Sequence, residues 1–137
     1  MICGSMTFVN EMVKAKEELE DLGHKIFLPC DTDECMKNPN LIDDLNADYK
    51  HLTENNILKK CFKLVADSNA ILLLNYPKNG TDGYIGTSSL MELGIAYHLG
   101  KKLFLLHDIP DPNDARWAHE VRVMRPIILK GDISKIE

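Results

Sequence analysis

The chain has 137 residues, of which 45% are apolar and 27% charged, and its formal net charge is -5. This length predicts one domain, residues 1–137, that buries enough apolar surface to fold without disulfides or a metal. The negative charge disfavours nucleic-acid binding, in which Lys and Arg contacts to phosphate dominate. No apolar run reaches the ~20 residues of a membrane span and no signal peptide is evident, so we expect a cytoplasmic protein with no membrane partner.

The cysteine pattern gives no sign of a disulfide framework or a metal site. None of the cysteines forms a C-x-x-C pair, and the spacing typical of metal ligands is absent. We therefore expect reduced thiols and no metal. The four cysteines are Cys3, Cys30, Cys35 and Cys61.

The first elements alternate between strand and helix. Residues 1–3 read as a short strand followed by a Gly-Ser turn. Apolar residues then recur at helical spacing over 8–22, and Gly23 is a typical helix terminator. The segment "HKIFLP", residues 24–29, predicts a second strand.

Three further apolar runs predict the remaining strands: 69–74, 103–106 and 126–129. Their lack of polar alternation is typical of parallel strands that are buried on both faces. Helical patterns over 57–65 and 89–99 separate these strands. This alternation predicts an α/β fold, a flavodoxin- or Rossmann-like doubly wound three-layer sandwich with a mainly parallel sheet of about five strands.

Two segments are longer than the connections that a simple alternation of strands and helices requires. Both follow the carboxyl ends of predicted strands, where open α/β sheets bind ligands. The acidic segment 30–56 is either a functional lid or a solvated insertion. For the segment 75–89, "NYPKNGTDGYIGTSS", we favour ligand contact because its glycines allow close approach of the backbone.

The stretch "CGSM", Cys3 to Met6, is a candidate anion or sugar site. A strand that runs through Gly4 and Ser5 into a helix presents backbone N–H groups and a hydroxyl at the helix start. Gly-Ser turns are common, however, and the alternative is that Ser5 only caps the helix.

Glu92 has two interpretations of equal weight. Ser89 and Glu92 match the capping box S-x-x-E, in which the glutamate bonds back to the helix start. The same carboxylate also faces the predicted ligand edge between the apolar residues Met91 and Leu93. Desolvation there would raise its pKa, as is frequent for reactive groups.

Several segments together resemble the nucleoside 2-deoxyribosyltransferase family, which includes the 2'-deoxynucleoside 5'-monophosphate N-glycosidases. The segments are "ICGSM", "ELEDLGHKIFLP", "ADSNAILLLN" and "MELGIAYHLGKKLFLL". The resemblance implies a flavodoxin-like fold, a homodimer or larger homo-oligomer, and cleavage of the N-glycosidic bond of a deoxynucleoside or its monophosphate without a cofactor. It places the family's glutamate nucleophile on Glu92 and a phosphate contact at Gly4 and Ser5.

The chain departs from the family pattern at three other positions. The family's tyrosine falls on Met1, an arginine of the monophosphate-cleaving members on Thr7, and an aspartate on Cys61. Cys61 could donate a proton in place of the aspartate if its pKa were suitable, or be a small buried apolar residue. Further replacements are expected among Asp31, His51, Tyr84 and Ser88, which fall in segments predicted to be flexible.

These observations yield two catalytic candidates, Glu92 and Cys61. His107, at the carboxyl end of the run 103–106, could contact ligand or a neighbouring subunit, or lie in a solvated turn. Two alternatives to deoxyribosyl chemistry stay open: a non-catalytic nucleotide-binding module, and a hydrolase of another N-glycoside such as a ribonucleotide. The residues expected to bind substrate are Cys3, Gly4, Ser5, Met6, Asp31, Tyr84, Gly86, Ser88, Ser89 and His107.

Overall fold

The structure, a computed structural model that describes residues 1–137, contains one parallel sheet of four strands. The strands pair in chain order, with Cys3 opposite Leu73 and Leu73 opposite Leu105. Their carboxyl ends therefore meet at a single edge. The strands are β1 (Ile2–Gly4), β2 (Ala70–Leu74), β3 (Lys102–Leu105) and β4 (Ile127–Ile128).

Six α-helices connect and cover the strands. The helices predicted over 8–22, 57–65 and 89–99 are confirmed within two residues at each end. None of the six combines the length and apolarity needed to cross a membrane. The helices are α1 (Val9–Asp21), α2 (Thr32–Lys37), α3 (Leu45–Glu54), α4 (Ile57–Asp67), α5 (Thr87–His98) and α6 (Ala118–Met124), with 3₁₀ turns at Met6–Phe8, Leu41–Asp43 and Ile133–Lys135.

Alternate strand residues enter two separate cores, because successive side chains of a strand point to opposite faces. Cys3, Leu73 and Leu105 pack with the buried residues of α4 and α5, and we call this side the α4/α5 face. Ile2, Leu72 and Phe104 belong to the second core, which includes the buried side of α1 and which we call the α1 face. Both faces of the strands are thus covered, as the continuous apolar runs predict.

Residues 24–29 do not form the predicted second strand. They run beside β1, but the backbone link is one hydrogen bond, from Ile2 N to Phe27 O at 2.9 Å. A ladder needs repeated bonds, and β1 has only three residues with which to make them. The sheet accordingly has four strands rather than about five.

The acidic segment 30–56 is folded rather than a loop. It forms α2, a 3₁₀ turn and α3. The Asp44 side chain begins α3 by accepting from Asn46 N at 3.0 Å and Ala47 N at 3.1 Å. Apart from the buried Asp31, its acidic residues form a helix cap and a largely solvent-facing helical surface, and the prediction of flexibility here is wrong.

Candidate active site

Glu92 does not cap the helix that carries it. The N-cap of α5 is Gly86, and Leu90 N donates to Gly86 O at 2.9 Å. Glu92 follows five helical residues and lies in the second turn, whereas unpaired amides belong to the first. The capping-box interpretation, with Ser89 as N-cap, is wrong because Thr87 and Ser88 already belong to the helix.

The Glu92 side chain is buried, and its carboxyl group has a raised pKa. The residue is 6% exposed. Burial raises its pKa from 4.5 to about 7; contact with the Cys3 thiol opposes this rise, and the charge of Asp31 adds to it. No N–H or O–H group donates to the carboxylate, and no fully buried side-chain oxygen lacks a partner, so the carboxylate still touches solvent. Such a group is about half ionised at neutral pH, as acid–base and nucleophilic groups often are.

Cys3 joins Glu92 to the end of β1. Its position in the strand directs the side chain to the α4/α5 face, and it is fully buried. Burial and the neighbouring Glu92 charge raise the pKa of the Cys3 thiol far above its usual value. Cys3 is therefore a neutral thiol beside the carboxylate, and its predicted contact with substrate stays a prediction.

Asp31 and His51 form a polar pair whose charge reaches Glu92. His51 Nε2 lies 3.1 Å from Asp31 Oδ2, and Asn55 Nδ2 lies 3.4 Å from His51 Nδ1. In the tautomer with the proton on Nε2, His51 donates to Asp31 and its Nδ1 accepts from the Asn55 amide. These two predicted replacement residues therefore occupy fixed positions at the start of α2 and on α3.

Cys61 lies on α4 beside a second thiol. Its Sγ is 3.5 Å from Cys30 Sγ. Burial raises the Cys61 pKa well above the ordinary thiol value, so the group is protonated at neutral pH. This environment favours the interpretation of Cys61 as a small apolar residue over that of an acid. The catalytic role of Cys61 stays a prediction.

Ser5 and Lys78 form a polar rim at the carboxyl end of β1. Lys78 Nζ donates to Ser5 Oγ at 2.9 Å. Ser5 also caps the 3₁₀ turn Met6–Phe8, since its Oγ accepts from Thr7 N at 3.4 Å. The sequence analysis missed Lys78, which supplies a positive charge close to Thr7, the position where the family resemblance expects an arginine.

The segment before α5 follows the same rim. The Tyr84 ring centroid lies 5.6 Å from Lys78 Nζ, a cation–π distance. Gly86 begins α5, Ser88 is exposed and Ser89 is buried in its first turn. Tyr84 is therefore the residue of this predicted group with a direct link to the rim.

Asn75, which the sequence analysis also missed, binds together the loops that follow β2 and β3. Its fully buried amide donates to His107 O at 3.0 Å and accepts from His107 N at 2.8 Å. The loop approaches so closely at Gly83 that an added Cβ would lie 2.2 Å from Asp108 O. His107 itself packs against Tyr76, with ring centroids 5.4 Å apart, on the side of the α1 face.

One cavity lies away from these residues. It has a volume of about 420 Å³ and opens near the amino ends of β1 and β2, where Phe27, Asn69 and Glu137 are among its lining residues. It contains none of the predicted site residues. Ligand sites of open α/β sheets lie at the carboxyl ends of the strands, so Glu92 and the rim form the stronger candidate site.

Comparison with known proteins does not assign a family. No family model, curated protein or solved structure matches the chain. The case for a function consequently depends on the geometry of this site and on the quoted segments.

Proposed function

We propose that the protein cleaves the N-glycosidic bond of a 2'-deoxynucleoside or its 5'-monophosphate, with Glu92 as nucleophile. The observation that carries this proposal is the Glu92 carboxyl group itself. It is 6% exposed, has a pKa raised to about 7, touches solvent and has no capping role. The structure gives no local reason to retain a carboxylate in this apolar layer, which supports a chemical reason.

The proposed reaction has two steps. The ionised Glu92 attacks C1' as the bond from C1' to the base nitrogen breaks, and the bonding electrons leave with the base. The base takes up a proton from solvent water. Water, or an N–H nitrogen of a second base, then attacks C1' and loses one proton to solvent, and Glu92 is released as a carboxylate. No cofactor takes part.

Lys78 and Ser5 would hold the 5'-phosphate of a monophosphate substrate. An ammonium group and a hydroxyl 2.9 Å apart, at the start of a helical turn, are suitable donors to phosphate oxygens. In this proposal Lys78 replaces the arginine expected at Thr7. We further propose that the four-stranded sheet and the helices on its two faces form a doubly wound three-layer sandwich.

A second candidate function is a nucleotide-binding module that does not cleave its ligand. Two observations favour it: the family's tyrosine and aspartate positions are occupied by Met1 and Cys61, both buried. The rim of Ser5 and Lys78 would serve such a module equally well. Measured release of base separates it from the enzyme.

Release of free base tests the enzyme directly. Deoxynucleosides, their monophosphates and the ribo counterparts are incubated with the protein and followed by chromatography, with a second base added as acceptor. We expect release from a deoxy substrate, a rise in kcat/KM with pH through about 7, and a loss of at least about 10³-fold in Glu92→Gln. Glu120→Gln, which removes an exposed glutamate on α6, is the matched control.

Binding without release by the wild-type protein would instead support the module. Release that is unchanged in Glu92→Gln would refute the nucleophile. Release from ribonucleotides alone would indicate the third alternative, a hydrolase of another N-glycoside.

We also propose that the chain forms a homodimer or larger homo-oligomer. The exposed apolar side chains of α5, Met91 at 41% and Tyr97 at 51% exposure, support this proposal. Sedimentation equilibrium measures the assembly, and a monomer at working concentration would contradict it.

A further inference from the structure

Two thiols and a carboxylate converge behind the candidate active site. One ligand atom each from Cys30, Asp31 and Cys61 lies within 4.8 Å of the other two. Cys30 and Asp31 come from the turn that begins α2, whereas Cys61 comes from α4, thirty-one residues after Cys30. The fold thus brings together three possible metal ligands that are not close in a recognisable sequence motif. The expectation of no metal site was based on the absence of such a motif. We propose that these three residues bind a thiophilic divalent cation, for which Zn²⁺ is the best fit.

The separation of the sulfur atoms suits a metal ion. Two thiolates bound to tetrahedral zinc at about 2.3 Å each stand roughly 3.8 Å apart, whereas the sulfurs of a disulfide are about 2.05 Å apart. Cys30 Sγ and Cys61 Sγ are 3.5 Å apart. The thiols are therefore already near the metal-bound spacing, and small side-chain rotations suffice to bring the carboxylate in.

Asp31 is held in the manner of a metal ligand. Its Oδ2 takes the contacts from His51 Nε2 at 3.1 Å and Cys35 Sγ at 3.7 Å. Both contacts use the same oxygen, so Oδ1 is left to coordinate an ion. Polar partners that fix the orientation of a ligand raise metal affinity.

Zinc binding releases two protons. The Cys30 and Cys61 thiols each lose a proton to solvent as their sulfurs bond to the cation, while Asp31 binds as a carboxylate. The product of two thiolates, one carboxylate and Zn²⁺ carries one negative charge.

Three protein ligands leave the fourth zinc position to water. That arrangement is typical of open sites, whereas structural zinc sites use four protein ligands. Cys30 is exposed and Cys61 buried, so an ion reaches the site from the Cys30 side. The proposal does not depend on Glu92 being a nucleophile.

Titration of the reduced, metal-free protein with Zn²⁺ against a chromophoric chelator tests the site. We expect one ion per chain. Affinity should fall at least about tenfold in Cys30→Ser, Cys61→Ser and Asp31→Asn. Cys35→Ser is the matched control: it changes a buried cysteine of the same neighbourhood and keeps a hydroxyl donor for Asp31, so its affinity should stay within about threefold of wild type.

Co²⁺ supplies a second readout that reports the ligands themselves. The wild-type protein should show a thiolate-to-cobalt charge-transfer band, and Cys30→Ser should show about half of its intensity. Cys30 is exposed, so this variant keeps its fold even if Cys61→Ser does not. Absence of binding by the reduced wild type, a band unchanged in Cys30→Ser, or an equal loss in Cys35→Ser would each overturn the proposal. So would a reduced protein that binds no zinc and forms a Cys30–Cys61 disulfide when oxidised.

Discussion

The two faces of the sheet are built from different chemistry. The α1 face consists of apolar side chains such as Leu19, Leu72 and Phe104, and no buried ionisable carboxylate or thiol belongs to its core. The α4/α5 face has the same strands as its floor, yet it includes Cys3 and Cys61 and has the Glu92 carboxyl group beside them.

The apolar side chains and the Glu92 carboxyl group buried on these faces affect the stability of the fold in opposite directions. Each fully buried Leu or Phe on the α1 face contributes roughly 1.5–3 kcal/mol through the removal of apolar surface from water. Burial of an ionisable carboxyl group on the other face has the opposite sign at neutral pH, because the charged form loses hydration. We infer that apolar burial on both faces stabilises the fold and that the α4/α5 face loses part of this stability at neutral pH, because the Glu92 carboxyl group is buried there.

The largest effect is expected from a cavity on the α1 face. Leu19→Ala should lower the free energy of unfolding by about 2–5 kcal/mol, since Leu19 is 1% exposed in a fully apolar core. Urea unfolding measures this loss, and base release by the folded variant should be unchanged. A loss of activity at full folding would show that the two faces are coupled.

The next largest effect is expected from Glu92→Gln, which should raise the free energy of unfolding rather than lower it. Its pKa is about 7 when folded against 4.5 for an ordinary glutamate, so the folded state favours the protonated form. The contribution of Glu92 to the free energy of unfolding is therefore fully present below about pH 4.5 and is lost as pH rises through about 7, by up to roughly 3 kcal/mol at 1.36 kcal/mol per pKa unit. Glu92→Gln should raise the free energy of unfolding by about 1–3 kcal/mol at pH 8 and change it little at pH 4.5.

Unfolding at both pH values measures this gain, with Glu120→Gln as the exposed control. A Glu92→Gln variant that is less stable than wild type at pH 8 would mean that the carboxylate stabilises the fold. The contrast between the faces would then fail.

A smaller effect is expected where the loops at the carboxyl ends of β2 and β3 meet. Gly83→Ala places a Cβ 2.2 Å from Asp108 O, whereas at Gly80 nothing lies within 4 Å. Both glycines have positive φ, +71° and +74°, so both substitutions carry similar backbone strain. Gly83→Ala should therefore cost about 1–3 kcal/mol more than Gly80→Ala in thermal unfolding. Equal losses would show that the close approach has no energetic weight.

The smallest effect concerns the rim. Lys78→Ala should weaken binding of a deoxynucleoside monophosphate by roughly 1 kcal/mol, about fivefold, because the ammonium group is partly solvated. Binding of the nucleoside without phosphate should be unaffected, and Lys14→Ala on exposed α1 surface serves as control. Calorimetry at two salt concentrations measures both, and an equal loss for nucleoside and monophosphate would remove Lys78 from the phosphate site.

The strands and long helices could be predicted because burial leaves a local pattern. Continuous apolar runs predicted β2 and β3, and the helical spacing of apolar residues predicted α1. Residues 24–29 have a similar apolar pattern but too short a partner in β1 to form a ladder. The helices of the acidic segment were not predicted, because α3 has no buried residue from which a helical periodicity could be recognised.

The site was only partly predictable because its contacts are not local. Glu92 was found, but whether it caps α5 depends on where the helix begins, which the apolar pattern did not define. Lys78 meets Ser5 across 73 positions of the sequence, and Asn75 meets His107 across 32. Neither residue belongs to a motif, so only the folded chain identifies them.

The measurement that tests the central claim most directly is the mass of the protein after acid quenching during turnover of a deoxynucleoside or its monophosphate. The account predicts a covalent deoxyribosyl adduct, with or without phosphate, that peptide mapping assigns to Glu92 and that is absent from Glu92→Gln. Base release without any adduct at Glu92, or with an adduct on another residue, would contradict the assignment of Glu92 as the nucleophile.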